Sequence, residues 1–407
     1  MNSKTFCVAP FIGTEFRKNG ELAPCCRYAS LGVEDKTWNF RNFDQWWNHD
    51  LTPVRQELIN GVEHAGCDHC WRDQKLGVKS YRESINEQYP QYMSLTEPLA
   101  VPVDQMYNFG NFCNLKCIMC SPYASSQIET EYKQHQAKFD AVYMGWQHTS
   151  EIKWYRTDEF VNIKQRIAGE AQHIMFQGGE PFLSPDVLEV LRNVAHPENT
   201  NVTVTTNMTV LTDEILNILN KFQRVQLTVS LEGVNAHNDY LRFGSTWNDI
   251  EYNISRINNY PNIRVNLAHT FQRTSLVSWI PLLKFALNNR LYVSTTILHT
   301  PVQLSVLGAT TDEKQQFALD AFEFLKFIDQ HIHKFYQSDA KHSSWEVLLS
   351  FSKHYNMLKD TVNQITAYVN TVDYSVDIDQ KFWTYVDLLD DIRKINFAEV
   401  FDTIPRP

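Results

Sequence analysis

Residues 107–120 read Tyr107-Asn108-Phe109-Gly110-Asn111-Phe112-Cys113-Asn114-Leu115-Lys116-Cys117-Ile118-Met119-Cys120. The three cysteines follow the spacing C-x3-C-x2-C on one short segment. An electron-transfer [4Fe–4S] cluster takes four protein thiolates, so three thiolates hold three irons and leave the fourth iron open to an outside ligand. Structural zinc sites are closed by four ligands, which makes three cysteines alone a poor zinc site. The motif therefore indicates a reactive iron–sulfur centre.

This motif resembles the cysteine signature of the radical S-adenosylmethionine (SAM) superfamily. The resemblance implies that Cys113, Cys117 and Cys120 carry a [4Fe–4S] cluster and form the catalytic centre. It also implies SAM as a second cofactor, bound to the open iron through its amino and carboxylate groups. In that family, one-electron reduction splits SAM to a 5′-deoxyadenosyl radical that abstracts hydrogen from the substrate. The protein then supplies orientation and excludes side reactions.

A second motif lies downstream, where an apolar run from His173 ends in Gln177-Gly178-Gly179-Glu180. Glycines let a backbone approach a ligand closely, and a carboxylate accepts hydrogen bonds from an ammonium group. Alone, this segment is also typical of a strand-ending turn with a solvated glutamate. After the cysteine motif it resembles the family's Gly-Gly-Glu motif, which binds the SAM amino group. We expect Gln177 at the same mouth, in contact with substrate.

Later apolar runs also end in polar residues, and parallel barrels build their sites at the carboxyl ends of strands. The resemblance gives Ser230 to the SAM ribose or carboxylate, and Arg242 to the carboxylate, a contact suited to a planar guanidinium. Two histidines, His269 and His299, end the fifth and sixth runs; satisfied core histidines are the commoner case. The complete set of expected cofactor contacts is Met119, Gly178, Gly179, Glu180, Asn207, Ser230, Glu232, Arg242 and Leu298.

All eight cysteines lie within the first 120 residues, which is typical of metal ligands rather than of disulfides scattered through a secreted fold. Cys7, Cys25, Cys67 and Cys70 suffice for one more closed site, and spacing alone leaves zinc and a second [4Fe–4S] cluster open. Cys7, Gly20 and Cys25 resemble the C-x(9–15)-G-x4-C opening of the twitch/SPASM auxiliary-cluster domain, which in better-known members follows the barrel. That resemblance favours an auxiliary [4Fe–4S] cluster.

One cysteine of this region, Cys26, is left over. It is either a spare buried thiol or a replacement ligand for Cys25. His64 and His69 are weaker candidates for metal ligands because four thiolates are already available.

The composition is that of an ordinary globular protein, with 407 residues, 43% hydrophobic residues and a net charge of −10. Its acidic charge is scattered and no dense run of Lys and Arg occurs, which argues against a nucleic-acid partner. We find no apolar stretch of membrane-spanning length and no leader pattern at the N-terminus, so we expect a cytoplasmic protein without a membrane partner.

Apolar runs alternate with helical patterns from about residue 105 to 300, which is typical of βαβ units and a parallel sheet. The family resemblance makes this a partial (β/α)6 TIM-like barrel. We expect an auxiliary iron–sulfur domain at 1–100, the radical SAM barrel at 101–302 and a helical C-terminal extension at 303–407. The six expected strands cover 104–109, 173–176, 202–206, 225–231, 263–269 and 291–298.

The resulting functional hypothesis is a radical SAM enzyme whose substrate is a peptide or protein side chain. That substrate class comes by analogy, since auxiliary domains of this kind accompany peptide-modifying members of the family. A reductant such as flavodoxin or ferredoxin is implied as a partner. Two alternatives stay open: a radical SAM enzyme acting on a small metabolite or nucleotide, and a non-enzymatic iron–sulfur or zinc protein.

Overall fold

The computed structural model describes residues 3–29, 38–75, 77, 79–141, 153–338 and 345–406, with the backbone alone given for 333–338 and 345–352. Its strands are β1 Gly13–Phe16, β2 Leu22–Ala23, β3 Asp104–Asn108, β4 Lys116–Cys117, β5 His173–Gln177, β6 Asn201–Thr206, β7 Arg224–Ser230, β8 Arg242–Phe243, β9 Ile263–Phe271 and β10 Tyr292–Ile297. Its α-helices are α1 Ala9–Ile12, α2 Phe43–Gln45, α3 Thr52–Ile59, α4 Asp68–Lys75, α5 Tyr81–Gln88, α6 Ser126–Gln134, α7 Gln136–Asp140, α8 Asp158–Ala168, α9 Pro185–Arg192, α10 Asp213–Leu219, α11 Asn235–Leu241, α12 Trp247–Arg256, α13 Ser275–Asn288, α14 Thr311–Ser338, α15 Trp345–Thr371, α16 Val376–Arg393 and α17 Phe397–Val400.

Eight strands form one sheet in the order β10-β9-β7-β6-β5-β3-β1-β2, and β4 pairs with β8 separately. All neighbours in the large sheet are parallel except β1 and β2. Helices connect the parallel strands, as parallel pairing requires. The predicted mixed α/β fold is confirmed, and the six predicted strands lie within two residues of the observed ones at each end.

Two strands of the sheet, β1 and β2, come from the first hundred residues and were not predicted. β1 pairs in parallel with β3, Phe16 lying opposite Tyr107. The rings of these two residues stack with their centroids 5.3 Å apart, and Trp154 stacks on the other side of Phe16. The N-terminal region therefore extends the sheet and shares its core. Whether residues 1–100 act as an auxiliary-cluster domain stays a prediction.

The two faces of the sheet differ in chemistry because side chains alternate along each strand. One face is apolar, buried and covered by helices; β7, for example, contributes Val225, Leu227 and Val229 to it. We call the opposite side the polar face. It is only partly buried over much of its extent, and its residues include Asp104, Asn108, His173, Met175, Gln177, Thr203, Thr205, Thr228 and Ser230.

The C-terminal region is helical, as predicted, and is tied to the sheet by a buried ion-pair cluster. Arg273, which follows β9 and is fully buried, donates to Glu313 of α14 at 2.9 Å and to Asp379 of α16 at 2.6 Å. Because breaking such a pair leaves a charge uncompensated, the cluster fixes where these helices attach. In the part of the chain that the structure describes, no helix has the length and apolarity to cross a membrane.

Candidate functional site

The cysteine segment follows β3 and folds over the carboxyl end of the sheet. Its two-residue strand β4 pairs antiparallel with β8, Cys117 lying opposite Arg242. The Ile118 N–H donates to the carbonyl of Leu241 at 2.9 Å, and the Ser125 hydroxyl donates to the carbonyl of Leu115 at 2.7 Å. The pairing of Cys117 with Arg242 and the bond from Ile118 to Leu241 hold the thiol-bearing segment against residues more than a hundred positions away, and the Ser125 bond closes the segment on itself.

The three thiols lie close enough to influence one another. Cys113 and Cys117 are buried and Cys120 is half-buried. A hydrogen bond from the Cys120 thiol lowers the pKa of Cys117 to about 7, whereas burial raises the pKa of Cys113 to about 11. The same hydrogen bond raises the pKa of Cys120 well above its usual value, so the two thiols share one readily lost proton.

Arg242 joins the cysteine segment to a buried carboxylate. Its Nη1 donates to Sγ of Cys117 at 3.6 Å, and its Nη2 donates to Oε1 of Glu232 at 2.7 Å. Glu232 is fully buried and also accepts from the N–H of Thr270 at 2.9 Å. Both terminal nitrogens of Arg242 thus have protein partners. The family resemblance instead implies that this guanidinium group contacts the SAM carboxylate.

The Gly-Gly-Glu segment packs directly on the cysteine segment. The Glu180 N–H donates to the carbonyl of Phe112 at 2.8 Å. Gly178 and Gly179 have φ values of +88° and +50°, which glycine adopts readily. A Cβ on Gly179 would lie 2.3 Å from the Phe112 carbonyl oxygen and 2.9 Å from the carbonyl carbon of Asn111. The close approach of the two segments therefore requires glycine at this position.

The Glu180 carboxylate organises the loop after β6. It is buried and accepts from the hydroxyl of Thr206 at 2.8 Å, the N–H of Asn207 at 2.6 Å and the N–H of Phe182 at 3.1 Å. A carboxylate offers about four acceptor positions, so these three bonds leave one for a ligand. Burial outweighs the hydrogen bonds and raises the pKa of Glu180 to about 7. The Asn207 amide lies 4.0 Å from Sγ of Cys113.

The other expected site residues surround the same mouth. Gln177, on the polar face, donates to Sδ of Met106 at 3.3 Å and lies 3.5 Å from Oε1 of Glu15. Ser230 is half-buried at the end of β7. Met119 packs between the cysteine segment and a second apolar cluster that includes Leu298. The roles of these residues stay predictions.

The two histidines at the strand ends differ. His269 is buried, with Nδ1 2.9 Å from the carbonyl of Leu231 and Nε2 3.0 Å from the Ser275 hydroxyl. Burial lowers the pKa of His269, which favours the neutral ring. His299 is exposed. His269 is therefore a core histidine with both ring nitrogens hydrogen-bonded, which is the commoner of the cases expected from the sequence.

The four N-terminal thiols meet on the far side of β1. Cys7, Cys25, Cys67 and Cys70 line one small cavity, together with Tyr81 and Arg82 among others. Burial, with a smaller effect from nearby thiols, raises the pKa of Cys7 and of Cys67 to about 12. Within the described ranges, no group of three His, Cys, Asp or Glu side chains is placed to hold a metal ion.

Cys26 is exposed and does not line that cavity, so it is not the buried spare thiol expected from the sequence. It lines a second small cavity with Cys25, Glu15, Asp104 and Met106 on the polar side of the sheet. The ring of His64 is occupied elsewhere, because its Nδ1 accepts from the N–H of Gly66 at 3.0 Å.

Several residues that brace the cysteine segment were not predicted from the sequence. The Tyr385 hydroxyl of α16 donates to the carbonyl of Ile118 at 2.9 Å. Arg393, at the end of the same helix, donates to both carboxylate oxygens of Glu131, and Lys116 shares that carboxylate at 3.2 Å. The periodicity of α16 predicts only an amphipathic helix, since no local pattern identifies a partner that is hundreds of residues away.

Comparison with protein families matches residues 107–269 to the radical SAM superfamily. A curated relative, the AdoMet-dependent heme synthase of Methanosarcina barkeri, is 31% identical over 124 residues, which is 30% of this chain and 29% of that protein. The chain therefore matches less than a third of that relative's length.

Solved structures of low similarity were also found. Native anSMEcpe with bound AdoMet is 14% identical, with a TM-score of 0.39, over 56% of this chain and 61% of that one. Streptococcus suis SuiB bound to precursor peptide SuiA is 15% identical, with a TM-score of 0.36, over 80% of this chain and 69% of that one.

Proposed function

We propose that this chain, whose residues 107–269 form a radical SAM superfamily domain, is a radical SAM enzyme that removes a hydrogen atom from a peptide or protein side chain. The observation that carries the proposal is the direct contact between the two motifs, made by the Glu180 N–H and the Phe112 carbonyl at 2.8 Å. The two motifs are about sixty residues apart in the sequence, and the fold brings them together beside the three thiols.

The residues present fit the expected cofactors. Cys113, Cys117 and Cys120 would hold the cluster, and the pKa of about 7 at Cys117 makes its thiolate accessible near neutral pH. Gly179 keeps space free where a side chain would collide with the cysteine segment. Held by these residues, a reduced [4Fe–4S] cluster and SAM would supply the radical chemistry that abstracts hydrogen from the substrate.

The protein's own groups would position the reactants. The free acceptor position on Glu180 suits the ammonium group of SAM, and the three internal hydrogen bonds hold that carboxylate in place. Ser230, Asn207 and Met119 lie around the same mouth as further contacts. Arg242 places a positive charge beside the Cys117 thiolate. Gln177, on the polar face, is the residue we assign to substrate contact.

The auxiliary site is the second part of the proposal. We assign Cys7, Cys25, Cys67 and Cys70 to a second [4Fe–4S] cluster of the twitch/SPASM kind, because all four thiols line one cavity beside β1. This cluster would accept or relay an electron, with flavodoxin or ferredoxin as the external reductant. The peptide substrate class rests on the same resemblance, together with the open polar face. A small metabolite or nucleotide is the second candidate substrate.

Anaerobic reconstitution tests the enzyme proposal. The reconstituted chain with dithionite should convert SAM to 5′-deoxyadenosine, and the C113A/C117A/C120A variant should not. Roughly eight irons per chain would support both clusters, whereas roughly four would leave only the catalytic one. Intact iron loading without SAM cleavage would leave a non-enzymatic iron–sulfur protein, and zinc in the N-terminal cavity would overturn the second cluster.

A further inference from the structure

A cavity of about 600 Å³ lies at the opposite end of the sheet from the cysteine segment. It is formed by the amino ends of β9 and β10, the end of α12 and the α15 residue His354. This size is within the range of ligand-binding pockets. No motif from the sequence and no residue of the candidate site lies in it, so it calls for a separate explanation.

The cavity is positively charged in a chain whose net charge is −10. Arg264 of β9 and Arg290, just before β10, both line it, and in the described part of the molecule neither side chain has an acidic partner. Glu251 is the single acidic residue among the described residues that line the cavity. Most other arginines near the surface are paired, as Arg156 is with Asp186. Two unpaired guanidinium groups in one cavity favour a ligand with carboxylate groups.

The wall of the cavity includes a buried polar atom without a partner. Nε2 of His354 is buried and has no hydrogen-bond partner among the side chains and backbone groups that the structure describes, and its ring lies 6.2 Å from that of Tyr292. Tyr292 is also the first residue of β10. The cavity therefore opens onto the beginning of this strand.

β10 is an edge strand with β9 as its neighbour, and it is six residues long. Along 292–297, the backbone groups facing away from β9 make no hydrogen bond to another described part of the chain. The opposite edge, β2, has only two residues. An edge strand of this length with unpaired outer backbone groups is a template on which an extended peptide can add as a strand.

The edge of β10 runs from the arginine cavity to the candidate site. The carboxyl ends of parallel strands lie at one side of the sheet. Ile297 is the last residue of β10, so it lies at the same side of the sheet as the ends of the strands that carry the candidate site. The next residue, Leu298, packs in the apolar cluster that contains Ile118 of the cysteine segment. Six residues at about 3.3 Å each span roughly 20 Å.

We propose that an extended, acidic peptide binds along β10, with its carboxylate side chains on Arg264 and Arg290 and its other end at the cysteine segment. The inference rests on the peptide substrate proposed above and makes it specific. Acidic residues should lie about six positions from the residue that is modified, because that is the length of the free strand edge. The positive charge of the cavity selects acidic peptides. The length of the strand edge sets the distance between their acidic residues and the residue that is modified.

Fluorescence anisotropy with the full reconstituted chain tests this. The probe is a fluorescein-labelled peptide, Glu-Glu-Thr-Val-Ser-Thr-Val-Ser, compared with the same peptide carrying Gln-Gln. We expect the R264Q/R290Q double variant to weaken binding of the acidic probe about tenfold and to leave the Gln-Gln probe unaffected, with binding strongest at low salt. The matched control is R224Q, since Arg224 is an exposed arginine that begins β7 and lies outside the cavity.

Strand pairing is tested with two further probes, N-methylated at odd or at even positions of the six-residue segment. Alternate N–H groups of a strand face its partner, so one series should lose binding and the other keep it. Equal behaviour of the two series, no effect of R264Q/R290Q beyond that of R224Q, or no binding of the acidic probe up to about 1 mM would each overturn the inference. SAM cleavage is measured separately, so loss of peptide binding with intact cleavage leaves the proposed enzyme activity standing.

Discussion

Arg242 donates to the Cys117 sulfur at 3.6 Å while its other terminal nitrogen donates to Glu232 at 2.7 Å. The carboxylate is fully buried and the guanidinium side chain is 11% exposed, so each charge depends on the other for compensation. Arg242→Met should destabilise the protein by about 3–5 kcal/mol, because it leaves the Glu232 charge buried and unpaired. Urea unfolding under anaerobic conditions measures this loss.

The double variant R242M/E232Q separates the ion pair from the packing around it. Once both charges are gone, the loss should be smaller than the sum of the two single losses, with a coupling of about 1–3 kcal/mol. If the two single losses sum to the loss in the double variant to within about 0.5 kcal/mol, the two side chains do not compensate each other.

Gly179→Ala should displace the cysteine segment. The added methyl would meet the Phe112 carbonyl oxygen at 2.3 Å, which the backbone must relieve by moving. We expect a loss of about 1–3 kcal/mol from this overpacking, in addition to about 1–2 kcal/mol for the left-handed backbone. Iron content after reconstitution should fall as well, because the segment carries the three thiols.

Gly61→Ala is the matched control for the glycine prediction. Gly61 has a φ of +85° but nothing within 4 Å of an added Cβ, so it carries only the cost of the left-handed backbone. Equal losses in G61A and G179A would mean that the contact with Phe112 is not what requires glycine at 179.

Glu180 should make stability depend on pH. Its pKa is raised from 4.5 to about 7 because burial disfavours the charged form. Protonation therefore favours the folded state: the contribution is fully present below pH 4.5 and is lost as pH rises through about 7. Relative to Glu180→Gln, the wild-type protein should lose roughly 3 kcal/mol between pH 4.5 and pH 8.

Urea unfolding of both proteins across this range gives the difference directly, since the other titrating groups cancel. A difference between wild type and E180Q that stays constant with pH would mean that Glu180 ionises normally in the folded protein.

Much of the sheet could be predicted because six of its strands are apolar runs of five to nine residues between helical patterns. β1 and β2 could not, since four and two residues are too few to show a period. In the site, the motif residues could be named from their spacing. The partners of Glu180 and the contact of Tyr385 with Ile118 could not, because hydrogen bonds between residues far apart in sequence leave no local pattern.

The spacing of the cysteines left open whether Cys25 or Cys26 is a ligand of the N-terminal site, and the structure bears on this question. Cys25 lines the cavity that contains Cys7, Cys67 and Cys70, and burial with the neighbouring Cys26, Cys7 and Cys67 thiols raises the pKa of Cys25 well above its usual value. Cys25 also lines the cavity with Glu15 and Asp104, whereas Cys26 lines this second cavity and not the first. Cys25→Ala should therefore remove the N-terminal iron and lower the total from about eight to about four per chain, whereas Cys26→Ala should keep it.

The comparison is then repeated in the C113A/C117A/C120A variant, whose remaining iron belongs to the N-terminal site alone, so that C25A should lower it from about four to about zero and C26A should keep it. Mössbauer or EPR spectra of C25A and C26A on that background report the cluster itself and do not depend on SAM cleavage. Loss of iron in C26A with retention in C25A would reverse the ligand assignment. It would also require the segment around Pro24 to turn, since Cys26 does not line the cavity that contains Cys7, Cys67 and Cys70.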